Sequence, residues 1–278
     1  MSAGLGRVLA EPPPSGKNPS RWADLGLRVA SAAVMLPLAL ACWWFGNWAW
    51  QALIAVTAVA LSFEWVGLCR AEPRWRMMAF MVLGLAWAGI SPAVLGATRP
   101  AVELGAAAVA VWLLSRRLDL AAGVLYAGAA LMSLLFLRAD PEAGRTNVLF
   151  LLVVVWASDI GAYAAGRLIG GAKLAPAISP GKTWSGAAGG LIVAIVAGVV
   201  VAGTLTSQSL AVAGLLSVIS QAGDLLESWL KRHFKVKDSS HLIPGHGGVL
   251  DRVDGLLLAA PAAALLALVL GTGAALWQ

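Results

Sequence analysis

The chain has 278 residues, of which 59% are hydrophobic and only 12% charged, with a formal net charge of +6. Soluble domains carry about twice that share of charge, so a water-soluble globular domain is excluded. The two cysteines, Cys42 and Cys69, lie in or beside apolar segments and far apart, which argues for two buried thiols and against a disulfide framework.

In chain order, residues 1–26 include Pro12-Pro13-Pro14 and Asn18-Pro19 and are read as a disordered cytoplasmic segment. No cleavable signal peptide is visible there. Beyond it, residues 29–63, 77–98, 120–137, 183–223 and 255–278 contain no Asp, Glu, Lys or Arg. A helix needs about 20 apolar residues to cross hydrocarbon, so the 35- and 41-residue runs each hold two crossings. These runs are continuous, without the alternation of a membrane β-barrel. The fold class is therefore all-α: a polytopic membrane bundle of about nine helices, with residues 27–278 as one transmembrane domain. Spans are expected at 27–45, 49–68, 77–97, 101–115, 120–137, 147–166, 185–204, 209–230 and 254–276, with breaks at Gly46-Asn47 and between Gly203 and Ser209.

The basic residues orient this arrangement, because cytoplasmic loops collect Lys and Arg. With the N-terminus inside, 17 of the 20 basic residues fall on inner segments, and only Arg99, Arg138 and Arg145 fall outside. Trp43, Trp44, Trp48 and Trp50 at the first outer turn, and Trp22, Trp75, Trp184 and Trp229 near inner ends, read as interfacial anchors. Gly186 and Gly190 open the seventh span with a spacing that permits close helix contact.

Charges within spans usually mark a pathway or a site. Asp159 lies in the sixth span, and Ser220, Asp224, Glu227, Ser228 and Lys231 share one face of the eighth. Glu64, near the inner end of the second, reads as a helix end snorkelling into water. A dense polar segment then runs from Ser228 to Asp254, holding the basic cluster Lys231, Arg232, Lys235 and Lys237 and the loop Pro244-Gly245-His246-Gly247-Gly248. Glycines let backbone amides approach an anion, and Asp251, Arg252 and Asp254 follow at the start of the last span. Carboxylates, cations and a Gly-rich loop at a membrane face suit a metal–nucleotide phosphate site. A second polar stretch contains Ser179-Pro180-Gly181-Lys182-Thr183. It is not a P-loop, since the required glycine is replaced by Pro176 and no strand is expected before it. A phosphate-binding turn and a plain capped helix start both remain open.

Residues 228–254 resemble the phosphatidate cytidylyltransferase (CDP-diglyceride synthase) family. Ser228, Leu230, Lys231, Arg232, Lys237, Asp238, Pro244, His246, Gly247, Gly248, Asp251, Arg252 and Asp254 fall at the offsets of its signature. The likeness extends through Gln221, Gly223, Asp224 and Glu227, and through Asp159, Tyr163, Gly166, Ser179, Pro180, Lys182 and Thr183, placing the expected active site mainly in 155–260. One departure is that Gly181 and Ser185 stand where the family commonly has Lys and Glu.

The resemblance implies an enzyme that joins CTP to phosphatidic acid, giving CDP-diacylglycerol and pyrophosphate for phospholipid synthesis. It implies magnesium as cofactor, with a second cation allowed. Expected partners are the two substrates and membrane lipids, with no nucleic acid and with a homodimer allowed. The expected location is the bacterial cytoplasmic (inner) membrane, the site facing the cytoplasm. Asp224 and Asp251 are assigned to metal, with Asp254 and Glu227 as supporting or alternative ligands. Catalytic roles fall to Asp224, Asp251, Lys231, Arg232, Arg252 and His246, the last either donating to a phosphate or holding the loop. Ser179, Lys182, Thr183, Lys237, Gly247 and Gly248 are assigned to substrate. A related CTP-dependent lipid-alcohol kinase would release CDP instead, and a transporter would spread its polar residues over both halves.

Overall fold

The computed structural model describes residues 21–95, 100–271 and 273–278. Among these residues are nine helices: α1 (Arg21–Phe45), α2 (Asn47–Leu68), α3 (Arg74–Leu95), α4 (Pro100–Ser115), α5 (Leu118–Ala139), α6 (Gly144–Leu168), α7 (Trp184–Ala202), α8 (Ser207–His233) and α9 (Leu250–Leu270). By length and composition, α2, α5, α6, α7, α8 and α9 are long and apolar enough to cross a membrane. Shorter apolar stretches fall at Val29–Phe45 and Pro100–Ser115. The chain is thus an integral membrane helical bundle.

The breaks within the long apolar runs have local causes. Gly46 turns the chain at φ 65° between α1 and α2. Gly203 ends α7 in the left-handed region, and Thr206 starts α8 with a capping box to Ser209.

Several expectations are corrected. Helix α1 begins at Arg21, so residues 21–26 of the segment read as disordered are helical, while residues 1–20 lie outside the described residues. The last helix stops at Leu270 rather than near 276, because Gly271 and Gly273 take positive φ. The tail then folds back: Leu276 is 1% exposed and Trp277 packs 4.8 Å from Phe150, centroid to centroid. A two-stranded hairpin also interrupts the all-α pattern, β1 (Lys173–Ala175) pairing antiparallel with β2 (Ser179–Thr183). The Gly-Lys-Thr triplet lies within β2, so the P-loop reading stays rejected even though a strand does precede it. Trp50 is no interfacial anchor. It is 5% exposed and donates to the Leu134 carbonyl at 3.1 Å. Trp44, Trp48, Trp75, Trp184 and Trp229 do sit exposed, while the Trp22 side chain lies outside the described residues.

Small residues bring α6 and α7 together. A Cβ on Gly190 would lie 2.7 Å from the Ser158 carbonyl oxygen, and one on Gly161 would lie 2.8 Å from that of Gly189. Helix α9 packs against α5, α6 and α8, and so links the two halves of the bundle. Both cysteines are free: Cys69 is buried, and Cys42 half-buried. Burial, and then the neighbouring Asp119, push the Cys69 thiol up to about 12, leaving it protonated and inert.

Side-chain bonds show which connections share an end. Arg117 donates to the Cys69 carbonyl, Glu64 of α2 accepts from the α8–α9 loop, and Arg232 donates to the Ile178 carbonyl in the hairpin. At the opposite end Trp43 donates to the Arg145 carbonyl, and Arg138 to that of Trp43. Arg7, Lys17 and Arg99 lie outside the described residues.

Candidate active site

A cavity of about 1080 Å³ opens between the helices. One part of its wall is apolar, built by Met35, Leu36 and Ala39 of α1 with Leu53, Ile54 and Leu61 of α2. The other is polar, lined by Asp159, Lys182, Asp224, Asp251, Arg252 and Asp254, with Thr183 and His246 beside them. A single space therefore offers hydrocarbon-compatible and phosphate-compatible surfaces side by side.

The polar wall is drawn from four elements. Lys182, in β2, meets Asp224 of α8 in an ion pair of 2.5 Å. Arg252 is exposed on the cavity; its backbone N–H donates to the Val249 carbonyl at 2.9 Å, while its guanidinium makes no hydrogen bond or close ion pair within the described residues. A guanidinium held this way keeps all its donors for an incoming anion. The Asp159 carboxylate is likewise exposed and makes no hydrogen bond or close ion pair among the described residues. Asp254 uses one oxygen, Oδ1, to accept from Gly255 N–H at 2.7 Å.

Asp251 and Lys231 belong to a tighter network. The Lys231 ammonium lies 2.8 Å from Asp251 Oδ1 and 2.7 Å from Glu227 Oε2. The Glu227 contact is an ion pair out of hydrogen-bond alignment, and that carboxylate is 0% exposed. Asp251 also accepts from Gly248 N–H at 2.8 Å, and from the Ser239 hydroxyl and N–H at 3.0 and 3.2 Å. Its acceptor positions are thereby largely taken. Lys231 is an internal counter-ion in this arrangement rather than a free ligand for phosphate.

Of the residues expected at the site, Lys182, Thr183, Asp224, His246, Asp251, Arg252 and Asp254 line the cavity. Ser179, Glu227, Lys231, Arg232, Lys237, Gly247 and Gly248 do not. Arg232 reaches the Ile178 and Val236 carbonyls at 3.4 and 3.3 Å, tying the hairpin to the end of α8. Thr183 is 4% exposed, and its hydroxyl caps α7 by accepting from Gly186 N–H at 3.0 Å. Ser185 donates to the Gly170 carbonyl, so the residue replacing the family's usual Glu closes the loop before the hairpin. Gly247 adopts φ 86°, which glycine alone takes freely, and accepts from Ile243 N–H. His246 shares its Nδ1 with the Ser31 hydroxyl at 2.7 Å, giving it a loop-holding contact while it lines the cavity.

Sequence reasoning misjudged Glu64. It is 1% exposed and accepts from the Ser239 and Ser240 hydroxyls and from the N–H groups of Val249 and Leu250. Its burial on the second helix was invisible locally. The one available signal was a lone acid closing a 35-residue charge-free run.

Oxygen donors alone, as here, suit a hard divalent cation. Among the described residues no group of three or more His, Cys, Asp or Glu is gathered closely enough to hold a metal by protein ligands alone. Magnesium does not need such a cage, since it is commonly held by one or two carboxylates, water and substrate phosphates.

The model of the cytidylyltransferase family matches residues 26–270. A phosphatidate cytidylyltransferase of Brucella suis is 42% identical over 250 residues, covering 85% of this chain and 91% of that protein. The Pseudomonas aeruginosa protein of that name is 34% identical over 275 residues, covering 89% and 98%. One from Bacillus subtilis is 41% identical over 144 residues, covering 49% of this chain and 53% of its own length.

Proposed function

The chain belongs to the cytidylyltransferase family, and from that premise we propose that it transfers the cytidylyl group of CTP to phosphatidic acid. The observation that carries this is the shared cavity, whose apolar wall meets Lys182, Asp224 and Arg252. The acyl chains lie along α1 and α2, and the phosphate groups lie against the cations. An oxygen of the lipid phosphate forms a bond to the α-phosphorus of CTP, the bond to the bridging oxygen breaks, and pyrophosphate leaves. The nucleophile is already anionic, so the protein has to position and neutralise charge rather than remove a proton. Arg252 is free to take phosphate oxygens, and Lys182 reaches them by leaving Asp224.

The donor set fits magnesium. Asp224 and Asp254 would hold it, since each keeps an oxygen without a protein donor among the described residues, and Asp159 stands by. Bound there, the ion would neutralise charge developing on the phosphate oxygens. Asp251, first assigned to metal beside Asp224, would join only if Lys231 gave way.

The proposal includes a bacterial inner-membrane location with the polar loops toward the cytoplasm, supported by the basic residues of one end and by bacterial relatives. It also includes contact with membrane lipids and association as a homodimer, which crosslinking in vesicles tests. Purified protein given phosphatidate and CTP labelled at the α-phosphorus should label the lipid and release pyrophosphate, and chelation of magnesium should stop both. In a parallel assay with CTP labelled at the γ-phosphorus, label entering the lipid with CDP released would establish a kinase instead.

A further inference from the structure

Glu64 stands in the half of the chain that carries no motif. Its carboxylate gathers four donors, all from residues 239–250. Oε1 accepts from the Ser240 hydroxyl at 2.7 Å and Val249 N–H at 2.7 Å, and Oε2 from the Ser239 hydroxyl at 3.1 Å and Leu250 N–H at 2.6 Å. These partners lie 175 to 186 residues away in sequence. No cation pairs with Glu64 among the described residues, so hydrogen bonds and the α9 N-terminus are what stabilise its burial. Val249 offers α9 no side-chain cap, and Glu64 supplies the acceptors that the first turn lacks. The approach is close enough that a Cβ on Gly248 would lie 2.7 Å from Glu64 Oε1.

That first turn carries Asp251 and Arg252 to the cavity, with Asp254 one turn further. The Ser239 hydroxyl also stands 3.0 Å from Asp251 Oδ2, and with one proton it is shared between the two carboxylates. We propose that Glu64 is the positioning residue of the site: from α2 it fixes the first turn of α9 and, through Ser239, the orientation of Asp251. Ser240 touches Glu64 but not Asp251, so it belongs to the clamp without the relay. The inference rests on the site proposed above.

The test uses full-length protein in detergent with CTP and phosphatidate, reading kcat, the KM for CTP and the thermal midpoint. Glu64→Gln should lower kcat about tenfold or more with KM changed by less than about threefold, since small misplacements at a reacting centre are costly. Ser239→Ala should lose at least about threefold more turnover than Ser240→Ala. The double variant Glu64→Gln/Ser239→Ala should be no slower than Glu64→Gln alone, because coupled groups are not additive. Wild-type kcat per folded molecule in Glu64→Gln, or a double variant slowed by the product of the two losses, overturns the proposal. If Glu64→Gln does not fold, the serine pair decides: equal losses, or none, overturn it. Full turnover in Lys182→Met would overturn the site reading and this proposal with it, whereas full turnover in Glu64→Gln alone overturns only the role of Glu64.

Discussion

Helix α9 is held at both ends by short polar clamps, and the two clamps differ in kind. At its start, Glu64 and Asp251 accept backbone N–H groups, and the neighbouring side chains include Lys231 and a buried Glu227. Beyond its end, Asn147 donates to the Ala274 carbonyl and accepts from Leu276 N–H, while Asp140 accepts from Gly273 N–H. The second clamp satisfies its members locally and borders no cavity-lining charge. The first holds its charges beside a cavity where the Arg252 and Asp159 side chains make no hydrogen bond or close ion pair among the described residues. Concentrated charge left partly unpaired is costly to keep in an apolar bundle, which is why the proposed site is put at this end. On that proposal the other end acts as scaffold.

Substitutions at the two ends should therefore separate activity from stability. The largest effect is expected for Lys182→Met, which removes the cation proposed to take phosphate and leaves Asp224 without its counter-ion. Turnover measured by pyrophosphate release should fall about a hundredfold. Arg252→Lys keeps the charge but loses the planar fork, and should cost about tenfold in kcat/KM for CTP. Asn147→Ala should leave turnover per folded molecule unchanged. It should lower unfolding stability by about 1–3 kcal/mol, read by thermal or denaturant unfolding, because Leu276 N–H loses its acceptor in a buried position.

The smallest effect is a pH dependence at Asp140. The Gly273 N–H, and then the Ala143 N–H, hold its carboxyl below the usual carboxylate range; burial opposes them slightly, and Glu142 N–H adds to them. A carboxyl whose folded pKa is depressed stabilises the fold above its unfolded pKa, and that contribution is lost as pH falls through the folded value. The tether at Gly273 should be fully present at neutral pH and released by acid below the carboxylate range, seen as faster cleavage of residues 273–278 by an acid-active protease. An unchanged cleavage rate would remove Asp140 from the clamp.

How much of this was legible in the sequence differs between the same two regions. Charge-free runs locate the helices because hydrocarbon penalises charge in every span alike, and Gly46 and Gly203 announce their turns. The last helix was read too long because Ala274, Ala275 and Leu276 are as apolar as a span, yet they are covered by α6 after Gly271 turns the chain. The hairpin was missed because three- and five-residue strands have no periodicity to read. At the site, residue types pointed to phosphate, and Lys182, Asp224 and Arg252 do line one cavity. What spacing could not reveal was pairing. Lys231 looks like its basic neighbours until two carboxylates are seen around it, and the donors to Glu64 come from the far end of the chain.

The most direct measurement of the central claim is the turnover of Asp224→Asn per folded molecule, with phosphatidate and CTP in magnesium. The variant keeps the shape of the side chain and removes the charge that pairs with Lys182 and would hold the cation. The account predicts a fall in pyrophosphate release of about a hundredfold or more at an unchanged thermal midpoint. Full turnover from a folded Asp224→Asn protein would contradict it.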